Sequence, residues 1–170
     1  MARDAAGRAE GPGREGFFVL CPRPQRSPVV EIRYEIVSDA ASVPVEAVVE
    51  LYRAGGWWEE SAAGRAIIPQ MIRGSFRFIV ARAPDGRHVG MGRAISDGVS
   101  DAYIQDVVVL RELRGRGIGA EMVRRLTAEC EAAGLAWIGL IAEPDTQRFY
   151  TPLGFAPMVG YQPMLHGKKD

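Results

Sequence analysis

Three glycines alternate with other residues in Arg114-Gly115-Arg116-Gly117-Ile118-Gly119, just ahead of a segment with helical periodicity. Glycine lets a backbone adopt turns that a Cβ forbids and lets it come close to a ligand. The first turn of the helix that follows has unpaired N–H groups and the positive end of the helix dipole. Together these form an anion site, suited best to a pyrophosphate. Arg114 and Arg116 can add charge. One exposed dipole contact is worth about 0.3–1 kcal/mol, so several must converge to hold a cofactor. Gly115-x-Gly117-x-x-Ala120 also fits a dinucleotide fingerprint, with Glu143 as the ribose partner. Against that, Arg111 to Arg114 separate the preceding strand from the first glycine, whereas the fingerprint places that glycine at the strand end. A phosphate-binding P-loop is excluded, since no Lys-Ser or Lys-Thr follows.

The glycines can act only between a strand and a helix. Tyr103 to Leu110 reads as the strand, and its last four residues are continuously apolar, as in a central strand covered on both faces. From Gly117 to Ala133, residues Ile118, Met122, Val123, Leu126 and Cys130 share one helical face, and Gly134 ends the helix. Ala136 to Ile141 reads as a buried strand, and Thr146 to Leu153 as a short helix interrupted by Pro152. Upstream, Val30 to Val37 alternates as a half-buried strand. A helix striped by Val45, Val48, Val49 and Tyr52 follows, broken by Gly55-Gly56, and a second helical stretch runs from Ala62 to about Ile72. Phe76–Ala81 and His88–Ile95 flank the turn Pro84-Asp85-Gly86 as a hairpin, and one or two strands are expected from Phe155 onward. Antiparallel strands leading into one βαβ unit predict an α+β (mixed α/β) fold: a central mixed, mostly antiparallel sheet flanked by helices.

The 170 residues suit one domain. Residues 1–28, rich in Gly, Arg, Pro and Ala, are expected to be a disordered tail, and 29–170 the folded domain. Lys plus Arg and Asp plus Glu both number 21, and this balance argues against a nucleic-acid partner. Cys21 and Cys130 form no CxxC, so neither a zinc site nor a disulfide framework is expected. No apolar run is long enough to span a membrane, and the expectation is a cytoplasmic protein.

The stretch Val107-Val108-Val109-Leu110-Arg111-Glu112-Leu113-Arg114-Gly115-Arg116-Gly117-Ile118-Gly119-Ala120 resembles the cofactor motif of the GNAT N-acetyltransferase superfamily. Phe149-Tyr150-Thr151-Pro152-Leu153-Gly154-Phe155 resembles its second signature, one helix and one strand later. The resemblance implies acetyl-coenzyme A as cofactor. It implies a splay beside the strand, often at a bulge, where Val107, Val108 and Val109 meet the pantetheine arm. It further implies that the N–H groups from Arg114 through Gly115, Arg116, Gly117, Ile118 and Gly119 to Ala120 hold the pyrophosphate, and that Tyr150 protonates the leaving thiolate. Two features depart from the family pattern. Arg111 stands where proline is common, and Glu143 stands about where an asparagine is often found.

The reaction so implied is direct attack of an amine on a thioester in a ternary complex. A primary ammonium lies about 3.4 units above neutral pH, so deprotonating it costs about 4.6 kcal/mol and needs a base or a water chain. Asp106 is the candidate base, ahead of Glu59 and Glu60. Tyr52, Trp57 and Trp58 flank the double glycine, where the superfamily varies its acceptor pocket, and can line a cleft for an amine. A small-molecule amine is the expected acceptor. A peptide or protein amine, or an acyl-coenzyme A sensor without turnover, are the alternatives. Homodimers are frequent in the superfamily, and Tyr161 to Leu165 could supply an edge for one.

Overall fold

Near-continuous runs buried on both faces build the middle of the sheet. The computed structural model describes residues 31–167. It contains five strands, β1 (Arg33–Ile36), β2 (Arg77–Arg82), β3 (His88–Ser96), β4 (Asp101–Val109) and β5 (Trp137–Gly139), each beside the next in that order. The first four pair antiparallel, and β4 and β5 run parallel. The mixed, mostly antiparallel sheet read from the sequence is therefore present. Helices α1 (Val45–Gly55) and α2 (Ala62–Gly74) fill the connection from β1 to β2. Helix α3 (Ile118–Ala132) joins β4 to β5 as the one βαβ crossover, and a short α4 (Gln147–Tyr150) follows, continued by a 3-10 turn over Thr151–Leu153.

Side-chain parity decides which helix covers which face of the sheet. A Cβ at Gly90 would lie 3.0 Å from Met122 Cε, and one at Gly92 would lie 3.3 Å from Leu126 Cδ1, so these β3 positions face α3. Their neighbour Arg93 reaches the opposite face, where it meets an aspartate that α1 also holds. The result is a helix layer on each side of the sheet. Val48, Val49 and Leu51 of α1 and Met122, Val123 and Leu126 of α3 are buried in it. Cys130 is a free, buried thiol on the apolar face of α3. Ser61 caps α2 by accepting from the Gly64 N–H at 2.9 Å.

Three expectations change. The strand expected over Ala136–Ile141 is confined to Trp137–Gly139, and Trp137 and Ile141 are exposed. Among the described residues β5 has no neighbour beyond it, so nothing covers its outer edge. The strands expected from Phe155 onward do not form: Tyr161 to Leu165 is irregular and exposed, and Pro157, Gly160 and Pro163 break the ladder there. It therefore does not supply the strand edge expected for a homodimer. The first strand begins at Arg33 rather than Val30, which lies outside the described residues together with the tail 1–28 and Cys21. Among the described residues no helix is long and apolar enough to cross a membrane.

Candidate functional site

The site begins where two parallel strands part. β4 pairs with β5 only through Asp101↔Trp137, Ala102↔Ile138 and Tyr103↔Gly139. β5 then ends, while β4 continues to Val109. From Ile104 onward β4 has β3 on one side and an open edge on the other. The Leu110 N–H bonds the Val89 carbonyl of β3 at 2.9 Å. Backbone groups alternate along a strand, so those of Val107 and Val109 face the open edge and those of Val108 face β3. The Val109 carbonyl accepts from Arg114 Nε at 3.0 Å. The Val109 N–H and both groups of Val107 are left to pair with an extended, amide-bearing chain, as an added strand would. Val108, grouped with them in the sequence reading, is buried and turned to the other side.

The open edge leads into the glycine turn. Gly115 (φ 74°) and Gly117 (φ 81°) both occupy the left-handed region, and a Cβ at either would meet open space. Backbone conformation, not crowding, selects glycine at these two positions. Gly117 is the N-cap of α3 and offers no side chain, so the leading N–H groups of the helix have no capping acceptor. Gly119 is small for a different reason: a Cβ there would stand 3.3 Å from Phe149 Cζ. Ile118 anchors the turn in the core, and Arg116 is exposed beside it. Arg114 does not act as expected. Besides the Val109 carbonyl, its guanidinium donates to the Ala54 carbonyl at 2.9 Å, tying the last turn of α1 to the end of β4.

Phe149 and Tyr150 have separate tasks. Phe149 packs under Gly119, while Tyr150 meets Phe149 and Phe155 edge-on, at ring distances of 4.8 Å and 6.1 Å. The Tyr150 ring lines a cleft of about 340 Å³ whose other walls are β4 from Tyr103 to Val107, the segment Ile141 to Thr146, and Trp57. A second cavity of about 520 Å³ shares Tyr103, Ile141 and Tyr150 with it and is also lined by Met158 and Tyr161. Two ligands could thus approach one phenol from different sides. Burial, and after it the Glu143 carboxylate, push the Tyr150 phenol up from its usual value, so it is protonated at neutral pH.

Asp106 stands on a β-bulge. Between the pairs Met91↔Val108 and Arg93↔Gln105, two residues of β4 oppose Gly92 alone. Asp106 has φ 56°, an uncommon value for a residue with a side chain. The bulge turns Asp106 to the α1 face, where its Oδ2 accepts from Tyr52 Oη at 2.8 Å and Arg93 Nε at 2.6 Å. Burial, followed by the charge of Asp106, pushes the Tyr52 phenol far up. Asp106 therefore lines the cleft as a paired carboxylate whose Oδ2 is held by Arg93 and Tyr52, while among the described residues no hydrogen bond engages its Oδ1. Asp106→Ala would remove the charged acceptor shared by Arg93 and Tyr52, leaving Tyr52 only the Met71 sulfur, and should cost roughly 1.5–3 kcal/mol in urea denaturation. Asp106→Asn keeps an acceptor for Tyr52 and tolerates the backbone, so its loss should be smaller.

Other expected residues divide. Trp57 reaches the cleft, and its Nε1 donates to Glu143 Oε1 at 2.7 Å. Trp58 does not: it packs toward the core and over Gly64, with the Arg65 guanidinium 5.5 Å from its ring. Tyr52 supports the cleft from behind through Asp106. Glu60 lies outside it, bound by Arg53 and Arg65, which push its carboxyl down to about 2. Glu59 is exposed and lines no part of the cleft. The sequence reading missed Tyr103, Gln105 and Thr146 as wall residues, and treated Glu143 as a departure rather than a participant. Alternation along β4 was the available signal for Tyr103 and Gln105. No local signal marks Thr146.

A mixed sheet that splays at one edge and runs into an uncapped helix is the architecture of an acetyltransferase. The chain belongs to the acetyltransferase (GNAT) family, whose model matches residues 45–155. It is 42% identical over 76 residues to serotonin N-acetyltransferase 2, chloroplastic, of Oryza sativa subsp. japonica, a match covering 45% of this chain and 38% of that protein. It is 41% identical over 69 residues to GCN5-related N-acetyltransferase 1, chloroplastic, of Arabidopsis thaliana, covering 41% and 35%. The matches thus span less than half of each curated relative. The fold superposes on a GNAT family acetyltransferase of Streptococcus pneumoniae TIGR4 with a TM-score of 0.65 and 23% identity, over 83% of this chain and 99% of that one. The cytoplasmic expectation is overturned, because both of these relatives are chloroplastic proteins. Charge balance and the lack of long apolar runs carried no information about compartment.

Proposed function

We infer that this chain transfers an acetyl group from acetyl-coenzyme A to the amine of a small molecule, with both bound at once. The observation that carries this reading is the open β4 edge running into the uncapped α3, with a protonated phenol on the wall of the cleft between them. Acetyl-coenzyme A would supply an activated acetyl thioester. Val107 and Val109 are suited to its amide arm, and the N–H groups from Gly115 to Ala120 to its pyrophosphate. Arg116 adds positive charge there, while Arg114 holds the turn in shape.

Tyr150 lines both the cleft and its neighbouring cavity, and its Oη is the group to give a proton to a departing sulfur. Asp106 positions Arg93 and Tyr52 through Oδ2, and its Oδ1 is the carboxylate oxygen left to act on the acceptor. The acceptor's own proton passes to Asp106 or to a water chain. A small-molecule acceptor accords with a relative named for serotonin, a primary amine. The test is acetyl-coenzyme A consumption against small primary amines and a lysine peptide, beside thermal shifts with acetyl-coenzyme A and NAD. Stabilisation by acetyl-coenzyme A with turnover of a small amine is expected. Stabilisation by NAD alone would overturn the cofactor, and binding with no amine acetylated would make the domain a sensor.

A further inference from the structure

The cleft assigned above to the acceptor is unevenly charged. Its lining includes two carboxylates, Asp106 and Glu143, and among the described residues no Lys, Arg or His. The Arg93 guanidinium at 2.6 Å offsets the charge of Asp106. Glu143 forms no ion pair among the described residues. Its partner is the neutral Trp57 indole, which occupies one carboxylate oxygen. A carboxylate can accept several hydrogen bonds, so Glu143 retains both its charge and free acceptor capacity toward the cleft.

The same bond fixes Trp57. Its ring is held edge-on to Tyr52 at 6.3 Å and lies so close over Gly55 that a Cβ there would stand 2.7 Å from Trp57 Cε3. An anion and a fixed aromatic face thus stand side by side, with Tyr103 and Tyr150 also lining the cleft. A carboxylate attracts an ammonium, and an aromatic face attracts a cation and covers an apolar body.

We propose that Glu143 is the docking anion for the acceptor, which enters as a protonated primary amine on an apolar or aromatic body, with Trp57 as the wall beside it. This rests on the acetyltransferase reading for the role of the cleft. Glu143 binds the ammonium, and loss of the proton follows docking.

The test is calorimetric titration of the coenzyme A-saturated protein with 2-phenylethylamine and with its uncharged analogue 2-phenylethanol. It compares the natural protein with Glu143→Gln, which keeps an acceptor for the indole and removes the charge. Amine affinity should fall roughly tenfold in the variant, the scale of a lost charge-assisted hydrogen bond, and alcohol affinity should not change. In turnover the loss should appear as a raised KM for the amine. Equal amine affinity in both proteins, or an alcohol bound as tightly as the amine by the natural protein, would overturn the proposal. Coenzyme A binding is measured first and the amine contrast needs no turnover, so failure of the acetyltransferase reading is seen separately.

Discussion

Tyr150→Phe should lower kcat by roughly 10²–10⁴-fold, the usual contribution of a positioned general acid. The KM for acetyl-coenzyme A should change little, because the ring remains and only Oη is lost. The ring carries the packing, wedged between Phe149 and Phe155. The hydroxyl faces a site where burial and Glu143 both favour its protonated form. The raised value also fixes the sign of the pH dependence. Activity that needs this proton should persist through neutral pH and decline only on the alkaline side, above the ordinary tyrosine value near 10. Stopped-flow or steady-state rates on both proteins from neutral to alkaline pH would check this. A kcat within a few-fold of the natural protein would remove Tyr150 from the chemistry.

Gly117→Val should raise the KM for acetyl-coenzyme A while leaving the fold in place. Residue 117 is the N-cap of α3 at φ 81°, and a β-branched residue at such an angle is strained by about 1–3 kcal/mol. The strain is relieved by moving the turn, which re-aims the N–H groups of the first turn. A loss of that size corresponds to roughly 5- to 150-fold in affinity. Nothing lies within 4 Å of the added Cβ, so the helix itself has no steric reason to unpack. Circular dichroism should be unchanged, and equilibrium binding of coenzyme A should report the loss. Gly119→Ala is the informative companion: it meets Phe149 instead, so its effect should reach Tyr150 through packing.

These contrasts mark what the sequence could and could not reveal. The elements bearing the glycines were legible because a continuous apolar run before Gly115 gave way to a 3.6-residue period after it, and β4 and α3 fall where that change places them. Tyr150 was legible only by resemblance, since periodicity does not say that Phe149 packs against Gly119 while Tyr150 lines the cleft. The role of Arg114 was misjudged because its carbonyl partner on Ala54 lies 60 residues away. The pairing of Asp106 was hidden for a similar reason. Its partners come from α1 and β3, and its orientation depends on a bulge that hydrophobic pattern does not encode. Short edge elements were the least legible. Nothing local in Ala136–Ile141 shows that pairing stops at Gly139, although that stop is what opens the cleft.

The bulge at Asp106 acts on the chain as a phase shift. Gln105 and Asp106 follow one another yet point to the same face, and from Val107 onward inside and outside are exchanged relative to the count before it. The distance from Asp106 to the α3 N-cap is therefore a ruler. Adding or removing one residue within it would swap the backbone groups of Val107 with those of Val108 at the open edge. Length changes in the β3–β4 turn, around Asp97 to Ser100, fall outside the ruler and leave that phase intact. The stretch from Asp106 to Ala120 can accordingly be treated as a cassette of fixed length, to be moved or redesigned as a whole.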